Sequence, residues 1–212
     1  MRNIFISILF LFSYNLFSQD FGVQIGLTTS TPTGNLDSYD FDFLESFSPG
    51  YEAGFFGRFR LSDVIVIKPE LSYREYSTAQ KINLSFDSYY LKQTHRGLSI
   101  DVNCDVELNN YMSFVFGLGA DYILHIHTVK KNDDIEELNN LDLSGLNNNE
   151  RITPFNNVGL SLKIGRRLII DLEYRHLLEN LSLGDLVNGE LISLERGGVK
   201  LHMINFCVGI IL

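Results

Sequence analysis

The sequence predicts an all-β protein: an eight-stranded antiparallel up-and-down transmembrane β-barrel, preceded by a cleaved signal peptide. Three observations carry that expectation. Apolar and polar residues alternate with a period of two in eight separate stretches. The linkers between those stretches are alternately short and long. The apolar parity is free of charge, apart from Glu75, Lys92 and Arg96 at strand ends beside the linker 77–91.

Residues 1–18 hold one cation, Arg2, and then a run from Ile4 to Phe12 that is apolar except for Ser7. Small or polar residues follow, with Ser18 before Gln19 and Asp20. This is the layout of a secretory signal peptide cut after Ser18. A spanning helix needs ~20 apolar residues, so a membrane anchor is the weaker reading. The expected mature domain is 19–212, in an exported location.

The alternating stretches are 20–30, 50–61, 64–76, 92–107, 111–127, 154–165, 168–179 and 199–212. Between them "LSD" near 62, "NN" at 109–110 and "GRR" at 165–167 read as tight turns. Residues 31–49, 77–91, 128–153 and 180–198 are long, polar and rich in Asn, Asp, Ser and Gly. An up-and-down barrel gathers each kind of connection at one rim. Outer-membrane barrels have long extracellular loops and short periplasmic turns, and the pattern matches. Pro69 lies inside the third stretch and cannot donate a ladder bond, which predicts a bulge or kink there.

Alternation alone does not say which parity faces out. The apolar set includes Phe21, Ile25, Tyr51, Phe55, Leu71, Ile100, Leu160, Leu172, Phe206 and Ile210, and the even positions from Met112 to Ile126. The interior of a barrel of ~8 strands is only just wide enough for side chains to fill, and this set is too bulky for it. The other parity carries Gly22, Gly26, Gly54, Gly97, Gly117, Gly119 and Gly159, as a crowded bore requires. It also carries Gln24, Glu52, Arg58, Arg60, Lys68, Glu70, Arg74, Asp101, Asp105, Asp121, Lys163, Asp171, Glu173 and Arg175. The apolar parity is therefore assigned to lipid, and the charges to a salt-bridged plug. The rival is a soluble or periplasmic lipid-binding barrel, with its apolar parity turned inward.

Composition narrows the partners. A net charge of −9 without a long basic run argues against nucleic acid. Membrane lipid is the expected surrounding. Cys104 falls on the apolar parity and Cys207 on the opposite one, so two free thiols are expected rather than a disulfide.

"PGYEAGFFGRFRLSDVIVIKPELSYREY" (49–76) resembles the second hairpin of the PorT-like outer-membrane β-barrel family, and "NNVGLSLKIGRRLIIDLEYRHLLENLS" (156–182) is similar to its sixth and seventh strands. More broadly the chain resembles the small OmpX-like eight-stranded barrels. The resemblance implies an eight-stranded barrel in the outer membrane of a Gram-negative-type envelope. It implies a secretion or surface-assembly role for some members and no assigned activity for most. Leu212 departs from the aromatic residue that often ends such barrels.

Chemistry is thinly marked. His125 and His127 sit at i and i+2 and, with Asp121, form the sharpest candidate metal set, since imidazole and carboxylate suit zinc. The competing reading is a polar pair at the outer rim. Neither "GxSxG" nor a His near a plausible nucleophile occurs, so no catalytic, cofactor-binding or metal-ligating residue is assigned. The acidic stretch 35–47, with Tyr39, Phe41, Phe43 and Phe47, offers either a docking loop or a cover for the barrel mouth. A short helix is the candidate element around Asp133–Leu141. The expected function is non-enzymatic: a structural, surface-interaction or secretion-associated barrel with possible protein partners at its loops. The alternative is a barrel enzyme with a rim active site.

Overall fold

Three short turns organise one end of the protein, each through its own side-chain chemistry. Ser62 Oγ accepts hydrogen bonds from the amides of Ile65 and Val64 at 3.1 and 3.4 Å. Asn109 Oδ1 accepts from Tyr111 and Met112 at 2.8 and 2.9 Å. Gly165, at φ 65°, takes the left-handed conformation that a residue with a Cβ resists. These are the three sites marked in the sequence as tight turns.

The architecture is drawn from a computed structural model, which describes residues 19–33, 41–42, 48–84, 87–132, 135–141, 151–178, 184–187, 190–193 and 200–212. The strands are β1 (Gln19–Thr33), β2 (Phe41–Asp42), β3 (Ser48–Arg60), β4 (Ile65–Leu84), β5 (Asp87–Glu107) and β6 (Met112–Asn132). They continue with β7 (Ile135–Leu141), β8 (Ile152–Ile164), β9 (Leu168–Leu177), β10 (Gly184–Val187), β11 (Glu190–Ser193) and β12 (Lys200–Ile211). Eight of them pair antiparallel in the order β1-β3-β4-β5-β6-β8-β9-β12, and β12 pairs back to β1. The sheet is closed, so no barrel edge is left unpaired toward lipid. The expected leader, 1–18, lies outside the described residues.

The face assignment holds over the barrel wall. Phe55, Ile25 and Leu118 are 66–68% exposed on the outside, whereas Asp121 and Glu173 are 3% and 2% exposed inside. Phe114 and Leu172 also face out. At each of the seven inward glycines an added Cβ would come within 2.0–2.5 Å of a neighbouring atom. At Gly117 the neighbours are Asn103 Oδ1 at 2.0 Å and Asn157 Oδ1 at 2.5 Å, two side chains already tied to one another. Cys104 faces outward and Cys207 is buried inside, and both are free.

Four expectations are corrected. Residues 77–84 and 87–91 are strand rather than loop: β4 and β5 stay paired to Leu84↔Asp87. Beyond the lipid both faces of a ladder can be wet, so pairing persists where the apolar alternation stops. Lys92 and Arg96 accordingly lie within a continuing strand, not at its end. Second, of the candidate helix around 133–141 the described part, Ile135–Leu141, is strand β7, paired to β6 from Ile126↔Leu141 to Asn132↔Ile135. Third, Pro69 makes no bulge. The β3–β4 register is the same on both sides of it, and only the pairs opposite Pro69 and Lys68 drop out of the ladder.

The fourth correction concerns β6. Gly97 pairs with Ile123 and Arg96 with His125, so Leu124 is an inserted bulge residue. One extra residue reverses the alternation beyond it. Ile126 then pairs with the inward His95, and His125 stands outside with Arg96. The even-position rule therefore holds to Tyr122 and fails at Ile126. Of the 35–47 stretch, only the backbone at Phe41 and Asp42 is described, pairing with Ile82 and Lys81; Tyr39, Phe43 and Phe47 lie outside the described residues.

Candidate functional site

The bore is the first candidate, because it collects the buried charge. Seven carboxylates (Glu52, Glu70, Asp101, Asp105, Asp121, Asp171 and Glu173) and four cations (Arg58, Lys68, Arg74 and Arg175) are each at most 6% exposed. Every one of these cations bridges two or three carboxylates. Lys68 Nζ lies 2.8 Å from Glu70 and 2.7 Å from Asp171. Arg74 reaches Glu52 at 2.9 Å and Asp121 at 2.8 Å. Arg175 reaches Glu173 at 2.9 Å, Asp101 at 3.3 Å and Glu52 at 3.6 Å. Arg58 stands 3.8 Å from Asp105 and 3.6 Å from Glu107.

Arg60, grouped with the interior in the sequence, instead pairs with Glu107 at 2.6 Å near the short-turn end, where it is 36% exposed. Lys163 is likewise only partly buried. The near balance of acids and bases read from parity is thus not kept in the buried layer.

Neutral connectors complete the network, and of these Asn103 and Asn157 were not singled out in the sequence. Asn103 Nδ2 donates to Glu70 at 2.9 Å, Asn157 Nδ2 donates to Asn103 Oδ1 at 2.9 Å, and Gln24 Nε2 donates to Glu70 at 2.6 Å. The Cys207 thiol donates to Glu52 at 2.8 Å. The signal for the connectors was their inward parity, which alone does not tell an ion-pair bridge from a filler.

Apolar groups stand at both ends of the charged layer. Phe155 lies 5.4 Å from the Arg74 guanidinium and 5.1 Å from that of Arg175. It packs with Tyr76, Leu177, Leu201 and Met203 at the long-connection end. Phe56, Ile169 and Ile211 form the corresponding group near the short turns. The bore is occupied by side chains rather than by an open channel lining. Burying such charge costs several kcal/mol per ion unless partners are supplied, and here they are.

The outer wall is the second candidate. Tyr51, Tyr73, Tyr122 and Tyr174 face outward on β3, β4, β6 and β9, the placement of an interfacial aromatic girdle. Beyond it Arg96 Nε donates to Glu75 at 2.5 Å, and the Tyr51 hydroxyl donates to the same Glu75 oxygen at 3.2 Å. The Tyr174 hydroxyl contacts His202 Nδ1, and the rings of His176 and His202 stack at 4.8 Å. The candidate metal set weighed in the sequence does not assemble: Asp121 is inside, bonded to Arg74, while the Leu124 bulge has turned His125 to the outside. Among the described residues no group of three or more His, Cys, Asp or Glu is arranged to hold a metal.

The model of a family described as the outer membrane protein beta-barrel domain matches residues 17–182. Among solved structures the chain is similar to Ail, the attachment invasion locus protein of Yersinia pestis, at 14% identity and TM-score 0.49, over 92% of this chain and 99% of that one. It is similar to Neisserial surface protein A at 10% identity and TM-score 0.48, over 92% and 99%. It is also similar to OprG from Pseudomonas aeruginosa at 12% identity and TM-score 0.47, over 92% and 96%. No curated protein matches the sequence.

Proposed function

The chain belongs to the outer-membrane β-barrel family and resides in the outer membrane, and on that premise we propose that it is a non-enzymatic, non-conducting barrel that carries a tall β-sheet beyond the membrane as an interaction surface. One observation carries the reading. A spanning strand needs ~9–11 residues, whereas β4, β5 and β6 have 20, 21 and 21 and stay paired far past the tyrosines. β2 adds to the β4 side and β7 to the β6 side of this extension. A ladder that long is not needed to cross lipid.

The filled bore supports the absence of conduction, since open channels belong to wider barrels of ~16–18 strands. Its carboxylates are committed to ion pairs instead of facing a cleft, which supports a non-enzymatic role. In this reading residues 1–18 are removed as a leader, the short turns face the periplasm and the long connections face outward. The resemblance to PorT-like barrels favours secretion or surface assembly over a passive scaffold.

Two measurements test it. Protein reconstituted in a planar bilayer gives no stable conductance steps; an ohmic open state overturns the plug. Crosslinking in the native envelope through a photoreactive residue placed at Asn139 captures a reproducible protein partner. Its absence, with the same probe at Leu118 labelling lipid, removes the interaction role.

A further inference from the structure

The bulge at Leu124 does more than relax the ladder. Without it, His125 and His127 would fall on the inward parity. With it, they share the outer surface with two cations of β5, because Arg96 pairs with His125 and Thr94 with His127, and Lys92 follows on the same face two residues beyond Thr94. Lys92, Arg96 and His125 are exposed and His127 is half-buried. Bulges commonly re-aim side chains in this way.

The location is specific. Tyr73, Leu98 and Tyr122 lie side by side in the ladder, and Glu75, Arg96 and His125 follow them on the same face. His125 is three residues past Tyr122 and His127 five, or about 10 and 16 Å along the strand. At a strand tilt of ~45° these are about 7 and 11 Å of height above the tyrosines, within reach of the lipid headgroups. The acid paired to this group in the ladder is Glu75, opposite Arg96, and the Tyr51 hydroxyl and Arg96 Nε already hold it. Arg96 remains 46% exposed while making that bond. Two full cations and two imidazoles, against one engaged carboxylate, make a surface that favours phosphate oxygens.

We propose that Lys92, Arg96, His125 and His127 form a docking patch for the phosphorylated headgroups of the surrounding outer-leaflet lipid. A macromolecule approaching from outside would have to displace that layer to reach the wall so close to the tyrosines. Lipid already stands there. The proposal rests on the long connections facing outward; the lipid measurement below does not depend on orientation, so the two can fail separately.

The test uses the full mature chain refolded into phosphatidylcholine nanodiscs containing a few mole per cent of either bisphosphorylated or dephosphorylated lipid A. After exchange into detergent, native mass spectrometry reads the lipid retained. The wild-type chain is expected to retain the phosphorylated lipid at least tenfold more than the dephosphorylated one. The variant Lys92→Gln/Arg96→Gln/His125→Gln/His127→Gln loses that preference, whereas His176→Gln/His202→Gln, on β9 and β12, keeps it. Equal retention of the two lipids by wild type overturns the proposal, and this arm needs no variant to fold. Retention unchanged in the fourfold variant also overturns it. Displacement of the lipid by millimolar inorganic phosphate overturns it too, because it reduces the patch to a simple anion site. Cell-surface proteolysis of the extended β4–β5 hairpin reads the orientation independently.

Discussion

At the level of single residues, two kinds of position carry the fold. The outward apolar residues are tolerated only because hydrocarbon surrounds them. Leu118, 66% exposed and well inside the tyrosine girdle, is the clearest of these. Leu118→Arg is expected to cost ~2–4 kcal/mol of insertion free energy, the depth-dependent penalty for a cation facing lipid. Urea titration of the protein refolded in vesicles measures it, and a wild-type midpoint would contradict the assignment. The inward glycines are the second kind. At Gly117 there is no room for a methyl group between Asn103 and Asn157, and the Val102 carbonyl is 2.8 Å from where it would sit. Gly117→Ala is expected to destabilise the barrel by ~1–3 kcal/mol through overpacking, seen as a lower midpoint in the same titration. Parity was enough to place both residues. It did not show that Asn103 and Asn157 would be the neighbours, since they come from separate strands 54 residues apart.

At the level of elements, legibility depends on solvent. The period-two signal exists only where one face meets lipid and the other the bore. It therefore located the eight wall strands and the three turns, and missed the continuation of β4, β5 and β6 beyond them. There the backbone still pairs, but neither face is forced to be apolar. The β4–β5 extension past Tyr76 and His95 should thus be separable from the wall. Replacing residues 79–92 by a short Asn-Gly turn is expected to leave insertion and heat-modifiable migration on gels unchanged, while abolishing partner capture by the extended sheet. Loss of insertion would show instead that the extension takes part in assembly. Pro69 and Leu124 make the complementary point. Proline announces itself in a sequence yet here leaves the register intact. The bulge at Leu124, carried by an ordinary residue, gives no local signal and reverses the faces of everything after it in β6.

At the level of the whole molecule, closure makes the charges interdependent. Arg175 touches Glu173 on its own strand, Asp101 on β5 and Glu52 on β3. One side chain thus links distant parts of the wall across the bore. Arg175→Ala would leave the buried Asp101 and Glu173 without their cation, while Glu52 keeps Arg74, and is expected to cost ~3–5 kcal/mol, as breaking a buried ion pair does. Thermal unfolding in detergent reads the loss, and adding Glu173→Ala should restore part of it by removing one stranded charge. A single variant as stable as wild type would mean that water, not the cation, satisfies these groups.

The sequence by itself determined the class of the molecule, the parity that meets lipid, the free thiols and the end where the short turns lie. Those properties follow from side-chain order along one strand, where a period of two maps directly onto two faces. The tertiary structure alone decided which acids share which cation, how far the ladder runs beyond the membrane, and that His125 stands outside. Each of these depends on register between strands. Register is set by pairing around a closed sheet and is not written in any one of them.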